Sequence, residues 1–328
     1  MSDAAHDPGA DGAWRRRAVS AATLVLGAAS LVGFAGNVHW TLDLLSHFRL
    51  HFALSLALAS VLCLFVRARV AAVVAAGCLA VQVGTLLPFF LRPELAQADV
   101  GTRWRLLLCN VHTSNRDFAA VRSLLLQEDP DLVVLQETDR RWLQALADLQ
   151  GRWPYRVESP RDDNFGIAVW SRYPLRGARL VNFGGAGLPS VVTDVLRGAD
   201  VLSLVATHAI PPVGAVRTRL RDEDLMEAAR CAASQPGPVL LVGDFNTTPW
   251  SPVFRQMLAK ACLRDSAEGF GLQATWPSRL SVLGIPLDHC LCSAGVRVLD
   301  RRVGPHVGSD HRPLVVDIAL VRAPVTSR

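Results

Sequence analysis

Residues 238–252, PVLLVGDFNTTPWSP, carry an apolar run directly into a glycine, an acid and an amide. Residues 239–242 are bounded by proline and glycine, which is typical of a strand covered on both faces. In open α/β sheets the carboxyl ends of such strands hold the ligand-binding groups. Alternation along an extended backbone sends the side chains of Asp244 and Asn246 the same way and turns Phe245 into the core.

The residues after Asn246 predict the start of a helix, with Thr247 or Thr248 as a hydroxyl cap and Pro249 in the first turn. A plain Asx turn is the alternative interpretation, because Gly, Asp and Asn are ordinary turn residues. This segment alone is compatible with both a turn and a functional site, and residues elsewhere in the chain are needed to distinguish the two.

Composition limits the classes of function. The 328 residues are half hydrophobic and carry a formal net charge of +5, with Lys260 the only lysine among 34 basic residues. No run of basic residues with interleaved aromatics marks a nucleic-acid footprint. The seven cysteines lack the spacing of zinc ligands and are predicted to be small buried hydrophobes.

Three apolar stretches near the N-terminus predict a membrane anchor. They cover residues 18–36, 51–66 and 70–91. The first and third reach the roughly 20 residues that a helix needs to cross a bilayer, and the second can borrow from its flanks. A cleavable signal peptide would explain the first stretch but not the next two. We therefore expect three transmembrane helices.

The arginines predict the orientation of this anchor. Residues 15–17 are three arginines before the first span, and Arg67 and Arg69 lie between the second and third, whereas the intervening loop has only Arg49. The positive-inside rule places the N-terminus and the Arg67 turn in the cytoplasm. Three spans then leave the rest of the chain outside. The expected location is the cytoplasmic (inner) membrane, as a multi-pass protein with its large domain extracytoplasmic.

From about residue 101 strand-like apolar runs alternate with helical patterns, which indicates an α/β class. Examples are DLVVLQE and VLSLVATH for strands, and RDFAAVRSLLLQE for a helix. The predicted organisation is a polar cytoplasmic N-terminus at 1–17, a three-helix membrane anchor at 18–91, a linker at 92–100, a globular α/β domain at 101–322 and a tail at 323–328.

Several of these strands end in a polar residue that chemistry could use. Taken singly, each has an ordinary explanation as an exposed acid or a buried, hydrogen-bonded histidine. Together they form one set of acids, amides and histidines, with no serine or cysteine in an activated-nucleophile motif. The set consists of Asn110, Glu137, His208, Asp244, Asn246, Asp288, Asp310 and His311.

Five motifs in this order resemble the endonuclease/exonuclease/phosphatase superfamily, which includes DNase I-like nucleases, exonuclease III-like repair enzymes, inositol-polyphosphate 5-phosphatases and sphingomyelinases. The motifs are Asn110, QE at 136–137, TH at 207–208, GDFN at 243–246 and SDH at 309–311. The resemblance covers about residues 101–320 and, with the apolar N-terminus, looks most like a bacterial membrane-anchored branch. It implies a four-layer α/β sandwich, with two mixed sheets face to face and helices outside.

The resemblance also implies a metal site. Phosphate ester hydrolysis needs a hard cation on the phosphoryl oxygens, an in-line water and donors for the developing charge. Glu137 is the expected ligand of Mg²⁺, with Mn²⁺ as the alternative, because this cation takes few protein oxygens and keeps several waters. Asn110 would help to position metal and phosphate, and Asp310 is carried over as an acid on the metal side.

The remaining roles follow from the same resemblance. Asp244 would orient or deprotonate the attacking water, and Asn246 would hold Asp244 and the phosphate. His311 would face the phosphate and be oriented by Asp288, which fixes its tautomer. His208 would donate to a phosphoryl oxygen.

Five further residues stay outside the predicted site. His112 could approach it. His289 should point away from Asp288, since neighbours on a strand alternate. Arg221 is expected to be an exposed helical arginine rather than a support for the loop after His208. Asn164 is expected to be structural, with substrate contact as the alternative, and Trp276 either stacks on a base, lies against lipid or packs in the core.

The predicted function is a membrane-anchored, metal-dependent hydrolase of phosphate esters that acts as a monomer. Fold and motifs do not choose between a lipid and a nucleic-acid substrate. A membrane anchor favours a lipid. The alternative is a non-catalytic membrane protein whose domain binds a phosphorylated ligand or partner.

Overall fold

The computed structural model describes residues 8–92 and 100–321 and divides the chain into two compact units, one ending at Pro88 and the other beginning at Phe89. The predicted tail at 323–328, most of the predicted linker at 92–100 and the first seven residues lie outside the described part.

The first unit is built from helices alone in its described part. They are α1 (Pro8–Val32), α2 (Trp40–Ser46), α3 (Arg49–Phe65) and α4 (Arg69–Leu86). The turn between α3 and α4 is tight because Arg67 adopts a left-handed conformation, with φ of 61°.

Two helices of this unit are long and apolar enough to cross a membrane, namely Gly12–Ala35 and Arg69–Phe89. The second predicted span is different. There α2 and α3 meet at a bend of 68°, so the pair counts as a span only if the two helices are taken together. Three spans are therefore not confirmed.

Arg49, the one arginine of the loop between the first two predicted spans, is buried inside the first unit. Its guanidinium donates to the carbonyl of Ser30 at 3.0 Å and to Oε1 of Gln82 at 3.3 Å, and it lies 3.6 Å from the centre of the Phe34 ring. This arginine is held by protein groups at the start of α3.

The second unit contains two mixed six-stranded sheets, and four helices contribute to its outer layers. The first sheet has the order β11-β12-β1-β2-β4-β3 and the second the order β5-β6-β7-β8-β10-β9; among the described strands, only the β1–β2 and β7–β8 pairs are parallel. The elements are β1 (Val100–Asn110), α5 (Phe118–Glu128), β2 (Leu132–Gln136), α6 (Arg140–Ala145), β3 (Tyr155–Ser159), β4 (Ile167–Ser171), β5 (Leu175–Asn182), β6 (Pro189–Arg197), β7 (Asp200–Ala206), α7 (Ala215–Ala233), β8 (Val239–Asp244), α8 (Pro252–Ala261), β9 (Arg264–Asp265), β10 (Asp288–Cys292), β11 (Val296–Val303) and β12 (Leu314–Val321).

Three apolar clusters hold the layers together. The central cluster lies between the sheets and includes Leu106, Val242 and Cys290. A second packs α7 and α8 on one sheet, and a third packs α5 and α6 on the other. The alternation of strand side chains explains this division, because each central strand contributes to the cluster on each of its faces. The predicted α/β sandwich of two mixed sheets flanked by helices is confirmed.

Two local expectations are wrong. No helix begins at 247–249; α8 begins at Pro252, with Ser251 as its N-cap residue and the proline in the first turn, where its missing N–H costs nothing. Cys262, expected to be buried, is exposed, because it ends α8 in a left-handed conformation with φ of 50°.

Candidate active site

The strand topology brings the polar strand ends to one edge of both sheets. Asn110 is the last residue of β1, and Glu137 follows the end of β2; these two strands are parallel neighbours, with Asn110 opposite Gln136. In the other sheet β8 ends with Asp244 and runs parallel to β7, which His208 follows by two residues. Parallel pairing therefore places all these groups at carboxyl ends.

The antiparallel strands add the remaining residues from the other direction. Asp288 is the first residue of β10 and lies directly opposite Asp244. His311 lies just before β12, whose first residue, Leu314, pairs with Leu108 near the end of β1. An antiparallel strand begins where its neighbour ends, so Asp288 and His311 lie beside the carboxylate of Asp244.

Gln136 and Gly243 join the two sheets at this edge. Nε2 of Gln136 donates to the carbonyl of Thr207 at 2.8 Å, and its Oε1 accepts from the N–H of Asp244 at 2.8 Å. Gly243 has φ of +152°, and a Cβ there would lie 1.7 Å from the carbonyl oxygen of Thr207. Only glycine allows this close approach.

The centre of the site is a buried series of charged groups. Oδ2 of Asp288 lies 2.8 Å from Nδ1 of His311, whose Nε2 lies 3.4 Å from Oδ2 of Asp244. Nε2 of His208 approaches the same Oδ2 atom at 3.6 Å. All four residues are at most 5% exposed. Two imidazoles therefore face one carboxylate in a region with little water.

The charges in this series support one another. Burial lowers the pKa of His311, but the charges of Asp288 and Asp244 outweigh it and raise that pKa to about 10. Burial raises the pKa of Asp244, but the charge of His311 and a hydrogen bond from His208 reverse the effect and lower that pKa to about 2. Burial also lowers the pKa of His208, and the hydrogen bond and charge of Asp244 raise it overall. At neutral pH an ionised Asp244 therefore lies beside a protonated His311.

Asn110 and Glu137 form a second group next to this series. Nδ2 of Asn110 donates to Oε1 of Glu137 at 2.9 Å and lies 3.3 Å from Oδ2 of Asp244. The other carboxylate oxygen of Glu137 accepts from the N–H of Thr113 at 3.4 Å, and Glu137 itself adopts the left-handed region with φ of 58°. For a non-glycine residue this conformation is strained, and such strain concentrates at functional sites.

A hard divalent cation fits at Glu137, since carboxylate oxygens are what Mg²⁺ binds. The Asn110 amide turns its nitrogen towards Glu137, so its oxygen would have to leave the N–H of His112 to join such an ion. Asp244, Asp288 and His311 also have ligand atoms within 4.8 Å of one another. That trio fits a cation poorly, because a histidine ligand must offer a free nitrogen lone pair and both nitrogens of His311 face carboxylates.

Asn246 and Asp310 lie differently from what alternation and resemblance predict. The strand ends at Asp244, and Asn246 has a left-handed φ of 48°, so its side chain does not follow that of Asp244. The N–H of Asn246 donates to Oδ1 of Asp244, whereas its amide donates to the carbonyl of Ala209. Asp310 is half-exposed, with its oxygens 3.3 Å from Nδ1 of His112 and from Nε1 of Trp276. Its role at a metal stays a prediction.

The residues left outside the predicted site divide into two groups. His112 belongs to the site edge, because its N–H donates to Oδ1 of Asn110 and its ring contacts Asp310. Trp276, also beside Asp310, is 37% exposed rather than a core aromatic. His289 points away from Asp288 as expected, and its Nε2 donates to the carbonyl of Thr247 at 2.9 Å.

The expectation for Arg221 is wrong. This side chain is fully buried and donates to the carbonyl of Asn246, so it supports the loop that carries the site. Asn164 has φ of 68° in the loop before β4, and its role stays a prediction.

Sequence reasoning missed the residues that hold the site loops. Oγ1 of Thr113 donates to the carbonyl of Glu137 at 2.9 Å. Oγ of Ser309 donates to the carbonyl of Asn110 at 2.7 Å and accepts from the N–H of His311. Ser309 and Gln136 were visible as members of the SDH and QE motifs. Nothing in the sequence marks Thr113, because its partner lies on another loop.

The comparisons with known proteins agree with this geometry. The model of the endonuclease/exonuclease/phosphatase family matches residues 107–311. That range contains every residue of the buried charge series and of the Asn110–Glu137 group. The comparison with curated proteins gave no match.

Solved structures resemble the fold. An endonuclease/exonuclease/phosphatase from Beutenbergia cavernae DSM 12333 is 21% identical, with a TM-score of 0.55, and the match covers 70% of this chain and 74% of that one. Truncated Caenorhabditis elegans TDP2 is 17% identical over 67% of this chain and 99% of its own, with a TM-score of 0.55. D. rerio TDP2 complexed with a single-strand DNA product is 15% identical over 66% and 99%, with a TM-score of 0.54.

Proposed function

The chain belongs to the endonuclease/exonuclease/phosphatase family, and we propose that its second unit hydrolyses phosphate esters with a water activated at Asp244. One observation carries the proposal: the buried series Asp288–His311–Asp244, with His208 facing the same carboxylate. A binding domain has no need for an ionised carboxylate between two imidazoles, whereas a hydrolase needs a proton acceptor and donors together.

Each member of the series has a task. Asp288 holds Nδ1 of His311 and fixes the direction of its ring. The protonated His311 keeps Asp244 ionised, so Asp244 can orient a water and accept its proton. Nδ1 of His208 is buried and has no hydrogen-bond partner in the described part of the chain, which leaves it free to meet a phosphoryl oxygen. Arg221 donates to the carbonyl of Asn246, and the Asn246 amide donates to the carbonyl of Ala209. These bonds hold the loops after β8 and β7 together.

We propose that Glu137 and Asn110 hold one divalent cation, with Asp310 on its outer side, and that Mg²⁺ is the natural ion and Mn²⁺ a substitute. When bound, such an ion supplies positive charge to a phosphoryl oxygen in the transition state. Glu137 contributes the charge that attracts it, and the Asn110 amide keeps Glu137 and Asp244 at a fixed spacing.

The substrate class and location are part of the same proposal. The two long apolar helices support a membrane-anchored monomer with residues 101–322 as its catalytic domain and 18–91 as its anchor in the cytoplasmic membrane. This arrangement favours a lipid phosphate ester. The D. rerio TDP2 structure, with its single-strand DNA product, keeps nucleic acid as the competing substrate.

A hydrolysis screen of the full-length protein in detergent tests the proposal. Oligonucleotides, phospholipids, sphingomyelin and phosphomonoesters are each offered with Mg²⁺, with Mn²⁺ and with EDTA. We expect metal-dependent release of product from one class, and its loss in His311→Ala, with a thermal melt to show that the variant is folded at the assay temperature. A folded protein that binds phosphorylated ligands but hydrolyses none would favour the non-catalytic alternative.

A further inference from the structure

A cavity of about 200 Å³ lies beside β9, at the end of β10 opposite to the active site. Cys292, the last residue of β10, lines it, whereas Asp288 is the first residue of that strand. Four residue steps along a strand cover about 13 Å. The cavity is therefore separate from the buried charge series, and the proposed hydrolysis assigns it no task.

The lining of the cavity carries both signs of charge. Arg92, Arg264 and Arg297 provide three guanidinium groups, and Asp265 and Glu268 provide two carboxyl groups. Within the described ranges, neither Arg264 nor Arg297 forms an ion pair within 4 Å. A ligand of one sign would satisfy only part of this lining, so the charges favour a group that is itself both anionic and cationic.

Asp265 gives the cationic part a specific place. Its side chain is only 5% exposed, and its Oδ1 accepts from the N–H of Ala267 at 2.9 Å. Its Oδ2 is buried and has no hydrogen-bond partner among the described residues. A buried, unsatisfied carboxylate oxygen is costly, so the fold leaves here an acceptor that an ammonium group would satisfy. Burial and the charge of Asp265 raise the pKa of Glu268, and a cation bound here would oppose that shift.

Arg92 is held at the cavity by a close backbone contact. A Cβ on Gly269, which has φ of +80°, would lie 2.8 Å from Cα of Arg92. The N–H of Gly271 donates to the carbonyl of Phe89 at 2.6 Å, and the Arg92 guanidinium lies 5.2 Å from the centre of the Phe270 ring. The residues just before the undescribed segment are thus fixed against the loop after β9.

Arg92 also follows the candidate membrane-crossing helix Arg69–Phe89 by only three residues. Three residues reach at most about 10 Å, so if that helix crosses a bilayer, Arg92 lies at the level of the lipid headgroups. Headgroups are the most concentrated phosphate compounds at that level.

We propose that this cavity binds a phosphate group that carries an ammonium two carbons away, which is the chemistry of phosphoethanolamine. The phosphate meets Arg92, Arg264 and Arg297, and the ammonium meets Oδ2 of Asp265 and the carboxylate of Glu268. The cavity volume of about 200 Å³ suits a group as small as one headgroup. The site does not depend on the proposed hydrolysis.

Titration calorimetry on the full-length protein in detergent and EDTA tests the site, with phosphoethanolamine, inorganic phosphate and ethanolamine as probes. We expect phosphoethanolamine to bind at least tenfold more tightly than either half. Asp265→Asn should remove that advantage while leaving phosphate binding unchanged, and Arg264→Gln should weaken both. Equal binding of phosphate and phosphoethanolamine, or binding insensitive to Asp265→Asn, would overturn the proposal, since it would report the active site instead.

Gly269→Ala and Gly271→Ala form a matched pair for the role of Arg92. Both glycines have positive φ, of +80° and +83°, but only a Cβ on Gly269 meets another residue within 4 Å. We expect Gly269→Ala to weaken phosphoethanolamine binding at least threefold more than Gly271→Ala. Equal effects would remove Arg92 from the site.

Reconstitution distinguishes a lipid headgroup from a free molecule. Nanodiscs of phosphatidylcholine alone are compared with discs that also contain phosphatidylethanolamine. Weaker binding of added phosphoethanolamine in the second kind would identify the lipid as the competing occupant, and equal binding would assign the site to the free molecule. Absence of binding in discs of phosphatidylcholine alone contradicts the proposal.

Discussion

Asp244 is the residue on which the two imidazoles and the Asn110 amide converge, so its charge is the most direct test of the mechanism. Asp244→Asn keeps the acceptor for the N–H of Asn246 but removes the proton acceptor. A positioned acid or base contributes about 10²–10⁴-fold in rate, and we expect kcat to fall by that order with little change in KM. An unchanged kcat would return GDFN to an ordinary turn.

The double variant Asp244→Asn/His311→Ala sharpens this test, because groups that act as a unit lose activity together. We expect it to lose much less than the product of the two single losses. Steady-state kinetics on one well-hydrolysed substrate, with a thermal melt of each variant, gives the comparison. Losses that multiply fully would mean that His311 acts in a separate step.

Glu137 tests the metal assignment. Glu137→Gln keeps the size of the side chain and removes the charge that holds a hard cation, so activity should collapse and recover only partly in excess Mg²⁺. Calorimetry with Mn²⁺ should show at least tenfold weaker binding, while the melting temperature measured in EDTA stays close to that of the parent. Normal Mn²⁺ affinity in this variant would mean that residues other than Glu137 bind the cation.

Asp224, on α7, tests how burial affects a carboxyl group that is not part of the proposed active site. It is only 4% exposed, its Oδ1 has no partner among the described residues, and burial together with the charge of Glu223 raises its pKa to about 6, although the N–H of Ala186 opposes this. Because the folded pKa lies above the unfolded value, the wild-type residue favours folding below about pH 4 and loses that contribution as pH rises through 6.

Asp224→Asn should therefore stabilise the protein at pH 8 and not at pH 4. The gain should be on the order of 1 kcal/mol, which is about 2–4 °C in Tm for a unit of this size. Thermal melts across this range measure it, with the exposed Asp162→Asn as control. A variant less stable than the parent at pH 8 would mean that Asp224 is needed as an anion.

Among the secondary-structure elements, β2 is connected to the opposite sheet by the side chain of its last residue, Gln136. Its amide satisfies one buried carbonyl and one buried N–H on the opposite sheet. Gln136→Glu keeps the shape but cannot donate to Thr207 when ionised, and it brings a negative charge beside Asp244. An unsatisfied buried partner costs about 1–3 kcal/mol, so we expect a lower Tm by several degrees and lower activity. Gln127→Glu on α5 is the matched surface control. Equal losses of Tm and activity in both variants would mean that Gln136 does not connect the two sheets.

The elements also show what the sequence could predict. Continuous apolar runs such as residues 239–242 predicted the central strands, because those strands are covered on both faces. The strands β3, β5, β9 and β11 were not predicted, and each of them is an edge of its sheet. Edge strands mix polar and exposed residues, as the almost fully exposed β5 does, so no periodic signal separates them from loops.

For the candidate site, too, the sequence predicted some features and not others. Motifs predicted which residues lie at the strand ends, since polarity after an apolar run is local information. They did not predict that Arg221 is buried beneath the Asn246 loop, or that Asn246 turns its amide to Ala209. Both depend on contacts between segments more than 20 residues apart, which hydrophobic periodicity does not encode.

For the molecule as a whole, the number of membrane crossings determines which compartment the proposed catalytic domain faces. In the described part of the chain, two helices have the length and apolarity of spans, and the third candidate is the α2–α3 pair, bent by 68°. If that pair crosses, the count is odd and the C-terminus lies opposite the N-terminus. If it stays on one side as a re-entrant segment, the count is two and both termini share one compartment.

We expect the pair to cross, because the positive-inside rule places Arg67 and Arg69 in the cytoplasm with the arginines at 15–17. Arg49 is the one arginine on the side predicted to be outside. Because it is buried inside the first unit, it does not count as a free positive charge of that loop. Reporters fused at Asn37, Arg67 and Arg328 should then report the outside, the cytoplasm and the outside in turn. A re-entrant pair reverses the results at Arg67 and Arg328 but leaves Asn37 outside, so Asn37 is the internal control. A cytoplasmic reporter at Arg328 would bring intracellular nucleic acids back as substrates, because the active site would then share their compartment.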